Sequence, residues 1–228
     1  MRVAYLIAHC YIPPSSICAV TFTNKAANEM RERLVKLIGK DQTAQIKMGT
    51  FHALCASFLR RYGRYAGIEG NFTVCDADER YVVPDRRGCG VWALSAICCS
   101  CSKKILKQLL KPFGEWLKGK NITLKEGSVQ SIISKWKAKG LYADDVLDLV
   151  TENKKMSLEE RAKRIVEDKG DFLGTELGEL VATVYKGYEK TLREANSLDF
   201  DDLLLFGVKM FSRHKKASGW CQHILVDE

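Results

Sequence analysis

Three short apolar segments of this chain each end in residues that can bind ligands. They read ICAVTFTN from Ile17, IKMGTFH from Ile46 and HILVDE from His223. The carboxylates of Asp227 and Glu228, which end the third segment, are the hard oxygen ligands that Mg²⁺ prefers. Two acidic residues at a strand end do not by themselves define a catalytic site, so the elements that position all three segments must be considered.

The first two segments fit an alternating pattern of strands and helices. The apolar runs at 17–23 and 46–50 are typical of buried parallel strands. Helical spacing follows each run, with Asn24 and Thr50 predicted as N-caps and Gly39 as the stop of the first helix. This alternation predicts an α/β layer built on a parallel sheet.

The second of these helices has two different faces. Five side chains are predicted to point inward: Phe51, Leu54, Phe58, Tyr62 and Tyr65. Arg60, Arg61 and Arg64 fall on the outer side. Together with the cluster Lys135-Trp-Lys-Ala-Lys139, these arginines are candidates for nonspecific phosphate contacts, and the alternative is a solvated basic helix face.

The remainder of the chain is predicted to be mostly helical. Phe72–Val74 is a possible third strand. Candidate helices follow at 103–117, 128–139, 143–151, 158–168, 176–195 and 200–213. Because His223–Glu228 again has a buried-strand pattern, we expect an α/β segment, a helical insertion and a strand that returns to the sheet.

Composition narrows the class of protein. The chain of 228 residues has 36 Lys and Arg against 28 Asp and Glu, a net charge of +8, and 46% hydrophobic residues. These proportions exclude a wholly disordered chain and favour a polyanionic partner, unless the charge only marks a lysine-rich surface. The nine cysteines are irregularly spaced, which indicates a reducing compartment without a disulfide framework. No eighteen-residue apolar run occurs, so no membrane partner is expected.

Three motifs resemble those of one family. Ala19–Met30, AVTFTNKAANEM, is similar to motif Ia of the UvrD/Rep-like superfamily 1 DNA helicases, and GTFHALC from Gly49 is similar to their motif Ib. SLDFDDLL from Ser197, followed by ILVDE from Ile224, resembles the approach to their Walker B motif and its first half. Eukaryotic, fungal-type members of the anti-recombination kind look most similar, which implies a nuclear location, or the cytoplasm if the protein is not eukaryotic.

The resemblance implies both a fold and an activity. Residues 1–75 and 198–228 would form part of a RecA-like P-loop NTPase motor domain, with helices on both faces of its sheet. Residues 76–197 would form a helical subdomain inserted into it. Family members use ATP and Mg²⁺ to move 3′ to 5′ along single-stranded DNA and to open duplex at single/double-strand junctions, in DNA repair and recombination control.

The resemblance also implies a role for individual residues. Seven residues would contact single-stranded DNA: Thr21, Phe22, Thr23, Asn24, Thr50, Phe51 and His52. Phe22 would offer a stacking face for a base, although periodicity alone fits a core position equally well. His52, without its motif, would be read as a capping or core residue. Asp227 would serve the Mg²⁺ site and Glu228 would orient and activate the attacking water.

The motifs of an ATP site are incomplete in this sequence. No G-x-x-x-x-G-K-[ST] loop (Walker A) occurs, and the final residues stop within Walker B. We therefore expect this chain alone to lack ATPase activity. A non-catalytic single-stranded DNA-binding fragment and the product of a faulty gene model are the alternative interpretations. Protein partners are not predicted by any motif.

Residues 80–101 fit neither the helical pattern nor the family. RYVVPDRRGCGVWALSAICCSC interrupts the resemblance, which resumes at Ser102. Our hypothesis is a translated intron, because Arg80-Tyr-Val can be encoded with a splice donor and Cys101-Ser with a splice acceptor. The rival reading is a zinc site, since Cys98-x-x-Cys101 has ligand spacing, but it lacks a fitting second pair.

Overall fold

The computed structural model describes residues 2–75, 101–155, 175–214, 219 and 221–227. The chain divides into two compact units. The first consists of Met1–Asn71 and Phe206–Glu228, and the second is the intervening sequence Phe72–Leu205. The proposed intron segment up to residue 100, the candidate helix 158–168 and Glu228 lie outside the described residues.

Helices and short parallel strands make up the described structure. The strands are β1 (Ile17–Thr21), β2 (Lys47–Thr50), β3 (Thr73–Cys75), β4 (Ser197–Asp199) and β5 (His223–Val226). The α-helices are α1 (Arg2–Ala8), α2 (Asn24–Ile38), α3 (Lys40–Gln45), α4 (Phe51–Tyr62), α5 (Cys101–Leu110), α6 (Gly114–Gly119), α7 (Glu126–Ala138), α8 (Ala143–Lys155), α9 (Glu176–Glu194) and α10 (Phe200–Arg213). The mixed α/β class with a parallel sheet is thus confirmed. No described helix is both long and apolar enough to cross a bilayer.

The first unit is built on a three-stranded parallel sheet of order β2-β1-β5. Every residue of the central strand β1 is buried, which explains its uninterrupted apolar sequence. Thr21 of β1 is the register partner of Thr50 in β2, and Val20 is the partner of Val226 in β5. The segment His223–Val226 therefore returns to the sheet as predicted, but the prediction of a buried strand was wrong, because Ile224 and Val226 are 70% and 53% exposed on β5.

The N-cap of helix α2 lies one residue earlier in the chain than the sequence suggests. Thr23, not Asn24, is the N-cap: its backbone is extended and its hydroxyl accepts the Ala26 N–H at 3.2 Å. The prediction of Asn24 was wrong because both residue types cap well and only the backbone conformation separates them. Gly39 ends the helix as predicted, with a φ of 84° that favours glycine.

Helix α4 starts after the predicted N-cap Thr50, but it ends at Tyr62, before the last residue predicted for its inner face. The Thr50 hydroxyl caps it by accepting the Ala53 N–H at 3.3 Å. Ala56 and Leu59 are its most buried residues, and Arg60, Arg61 and Arg64 are exposed as predicted. Tyr65 was wrongly predicted to point inward: it lies past the helix in the 3-10 turn Gly63–Ala66 and is 42% exposed.

The second unit has its own small sheet and a mostly helical core. The strand predicted near 72–74 exists as β3, but it pairs in parallel with β4, which the sequence pattern did not indicate. It does not add to the first sheet. Trp136, Tyr185 and Val146 are among the fully buried side chains that α7, α8 and α9 contribute to this core.

A buried ion cluster stabilises the start of α10 in the second unit. Asp202 accepts the Asp199 N–H at 3.2 Å while Asp199 accepts the Asp202 N–H at 2.8 Å, so the two acids cap the helix reciprocally. Lys137 Nζ lies 2.5 Å from Asp199 Oδ2 and 2.8 Å from Asp202 Oδ1. The Lys137 side chain is 0% exposed, so this member of the Lys135–Lys139 cluster is not a phosphate contact. Asp199 and Asp202 therefore act as helix-start residues.

Candidate nucleic-acid interface

The three strands of the first sheet end at one edge, and most of the candidate ligand-binding residues follow those ends. Because the strands are parallel and Thr21 pairs with Thr50, the segments 21–24 and 50–52 are neighbours. Asp227 follows β5, and its N–H donates to the Val20 carbonyl of β1 at 2.9 Å. Ligands of open parallel α/β sheets bind at such carboxyl ends.

An aromatic pair, exposed Phe22 and half-buried Phe51, lies at this edge. Phe22 is 69% exposed, which excludes the core position that its periodicity left open. Its ring contacts that of Phe51 at 5.3 Å between centroids with an interplanar angle of 51°. One face of a base can stack on such a ring whatever its sequence, which is how unpaired strands are held.

Two threonines shape the turns rather than line the surface. Thr21 is 1% exposed, and its hydroxyl donates to the Thr23 carbonyl at 2.9 Å. Thr50 is 9% exposed, and its hydroxyl is occupied by capping α4. Their side chains therefore fix the backbone that presents Phe22 and Phe51.

The first turns of α2 and α4 supply polar groups beside the aromatic pair. Thr23 and Asn24 are exposed at the start of α2, and His52 is half-buried in the first turn of α4. Each helix start carries backbone N–H groups and the positive end of the helix dipole, which attract anions such as phosphates. The two helices begin after neighbouring strands, so both N-termini face the same edge.

Asp227 opens onto a cavity of about 370 Å³ beside β5 and α2. Arg2, Glu29 and Arg33 also line it, and Arg33 forms an ion pair with Glu29 at 2.6 Å. The spacing of Glu29 and Arg33 is that of an ion pair within one helix. Their position beside Asp227, in contrast, depends on how α2 packs on β5 and carries no signal in the sequence.

The donors present fit Mg²⁺ only in part. No group of three or more His, Cys, Asp or Glu residues able to hold a metal exists in the described part of the chain. Asp227 is an exposed carboxylate, and Mg²⁺ is commonly held by one or two carboxylates together with waters and phosphate oxygens. Asp227 therefore fits as one ligand of such an ion, with nucleotide phosphates as the others.

Comparison with known proteins covers the whole chain. Residues 1–228 match the family model described as UvrD/REP helicase N-terminal domain. The chain is 31% identical over 231 residues to the ATP-dependent DNA helicase PcrA of Staphylococcus aureus, and equally to that of Staphylococcus epidermidis. These alignments cover 100% of this chain and 25% of each relative. The chain thus spans about a quarter of the length of the curated relatives it matches.

Proposed function

This chain belongs to the UvrD/REP helicase N-terminal domain family, and we therefore propose that it forms part of an ATP-dependent DNA helicase. In this proposal its first unit is part of a RecA-like motor domain that moves 3′ to 5′ on single-stranded DNA. The helicase opens duplex at single/double-strand junctions during repair or recombination. The family match and the Ia and Ib motifs support this role, and the nuclear location stays a prediction.

The observation that carries the proposal is the exposed Phe22 ring, packed against half-buried Phe51, at the carboxyl edge of the sheet. A base stacks on Phe22, and the first-turn N–H groups of α2 and α4 hold the flanking phosphates. Thr23, Asn24 and His52 contact the strand, while Thr21 and Thr50 hold the two turns in shape.

The same edge accounts for a nucleotide role. Asp227 would hold Mg²⁺, which would neutralise phosphate charge when nucleotide is bound, and the family resemblance gives Glu228 the role of orienting the attacking water. No G-x-x-x-x-G-K-[ST] loop, the kind that cradles the phosphates, occurs in the 228 residues. Purified chain is therefore expected to hydrolyse no ATP, and Mg²⁺-dependent hydrolysis that Glu228→Gln abolishes would show the opposite.

Single-stranded DNA binding without nucleotide tests the interface directly. Base stacking on an aromatic side chain contributes about 1–3 kcal/mol, so Phe22→Ala should weaken oligonucleotide binding by about 5- to 100-fold in fluorescence anisotropy. Tyr5→Ala is the matched control, because Tyr5 is 58% exposed on α1 and follows no strand. Equal affinities of the two variants would refute stacking on Phe22. A non-catalytic DNA-binding fragment predicts the same binding result and differs only in never gaining ATPase activity when the missing regions are supplied.

A further inference from the structure

A basic surface of the first unit lies at the opposite end of α4 from the aromatic pair. We call it the arginine–tyrosine patch, and it consists of Arg61, Tyr62, Arg64, Tyr65 and His214. Helix α4 has 12 residues and so is about 18 Å long, which separates this patch from the N-terminal turn at Phe51. The DNA contacts proposed above do not use it.

Two guanidinium groups of the patch lie on aromatic faces. Arg61 Cζ is 5.4 Å from the centroid of the Tyr62 ring, and Arg64 Cζ is 5.5 Å from that of Tyr65. Both distances are within the range of cation–π contacts. The imidazole of His214 packs against the two tyrosines, with centroids 3.8 Å from Tyr65 and 5.8 Å from Tyr62. At exposed sites such contacts contribute about 0.5–1 kcal/mol each, which favours these two arginine positions before any ligand binds.

The two arginine heads are available to an external anion. Arg61 and Arg64 are exposed, and neither forms an ion pair with any acidic side chain that the structure describes. Glu69, the acidic residue that comes soonest after them in the chain, is exposed on the loop that follows the 3-10 turn. A stacked guanidinium still presents its N–H edge, and that planar fork matches the oxygens of a phosphate.

Ring coverage distinguishes this patch from a single-strand binding surface. Unpaired strands are held by bases that stack on open aromatic faces, such as that of Phe22. Here an arginine lies over one face of each tyrosine and His214 packs against both, so the patch offers less open ring than Phe22: Tyr65 is 42% exposed and Phe22 is 69% exposed. The two guanidinium groups suit the backbone phosphates of a duplex, which presents one charge per about 1.7 Å of its axis.

We propose that the arginine–tyrosine patch binds the phosphate backbone of double-stranded DNA without reading its sequence. The choice of DNA as the polyanion rests on the proposed function, whereas the phosphate chemistry rests on the stacked guanidiniums. The patch supplies a contact to duplex that is separate from the single-strand contact at the sheet edge.

Salt-dependent binding of a blunt duplex to the full chain tests the proposal. Relative to wild type, Arg61→Gln/Arg64→Gln should weaken duplex binding about tenfold at low salt and reduce the slope of log K against log salt by about 2. The matched control is Lys118→Gln/Lys186→Gln, which removes the same charge from lysines that already pair with Glu115 and Asp144. The control should change the affinity less than twofold.

A charge-preserving variant examines the role of the stacked fork. Arg61→Lys/Arg64→Lys keeps both charges but loses the planar donors, so about threefold weaker binding than wild type is expected. The proposal is overturned if the glutamine variant binds duplex like the control, if the lysine variant binds like wild type, or if poly-glutamate binds the patch and duplex does not.

The two DNA proposals fail in distinguishable ways. Loss of single-strand binding in Phe22→Ala with unchanged duplex binding supports two separate surfaces. If wild type binds single strands but the patch variants lose nothing on duplex, the patch proposal fails and the proposed function stands. If wild type binds duplex through the patch while Phe22→Ala changes nothing on single strands, the sheet-edge proposal fails instead.

Discussion

Replacing Lys137 by methionine should strongly destabilise the second unit. The ammonium is fully buried between Asp199 and Asp202, and it lies 5.3 Å from the centroid of the Tyr188 ring. Burial lowers the pKa of Lys137, but the carboxylates of Asp202 and Asp199 outweigh this effect and raise the pKa above its usual value. The lysine is therefore charged at neutral pH, and its loss leaves two carboxylates in the interior without this cation.

Removing one partner of a buried ion pair typically costs about 3–5 kcal/mol. Because Lys137 contacts two carboxylates, we expect Lys137→Met to lower the free energy of unfolding by an amount in that range at pH 7.5. The loss should shrink at pH 5, because burial raises the pKa of Asp202 to about 6 and protonation then removes the charge of that carboxylate. It should also shrink when Asp199→Asn and Asp202→Asn accompany the substitution, since the uncompensated charge is then removed.

Urea unfolding, combined with hydrogen exchange of the α7 and α9 amides, measures this effect in the second unit. Lys135→Met is the control, because Lys135 lies exposed on the same helix. The reasoning is refuted if Lys137→Met unfolds at the same urea concentration as Lys135→Met, or if neither acidification nor the two asparagine substitutions restores stability.

Two further substitutions test individual contacts. Burial and the neighbouring Asp199 raise the pKa of Asp202 from 3.8 to about 6. Protonation of Asp202 therefore stabilises the folded state fully below pH 3.8, and this stabilisation is lost as the pH rises through about 6. The advantage of wild type over Asp202→Asn in urea unfolding should therefore be greater at pH 4.5 than at pH 7.5, and a constant difference would exclude this titration. Thr23→Ala removes the side-chain acceptor of the Ala26 N–H and should lower the free energy of unfolding by about 1 kcal/mol, measured by thermal unfolding. Asn24→Ala should lower it by less than half of that amount. The reverse order would identify Asn24 as the N-cap.

The sequence was most informative where side-chain type determines local structure. The apolar runs predicted the strands β1 and β5, although only β1 is buried throughout, and Gly39 predicted the end of α2, because buried strands and left-handed turns each require particular residues. Because these strands are parallel, their carboxyl ends lie at one edge of the sheet. The strand prediction alone therefore places Phe22 and Asp227 at that edge.

Features that depend on tertiary packing were not predictable. The strand β3 has only three residues, so its partner was decided by the fold of the second unit and not by its own pattern. A periodicity argument could not say which way Phe22 points, since both faces of a central strand are apolar. Lys137 looked like one more surface lysine because its two acidic partners lie about sixty residues away in the sequence.

Photo-crosslinking of a halogenated single-stranded oligonucleotide to the full chain locates the bound strand. We expect mass spectrometry to find the crosslinks at Phe22 and Phe51, the aromatic pair at the carboxyl edge of the sheet. Crosslinks confined to peptides of the second unit, Phe72–Leu205, would contradict it.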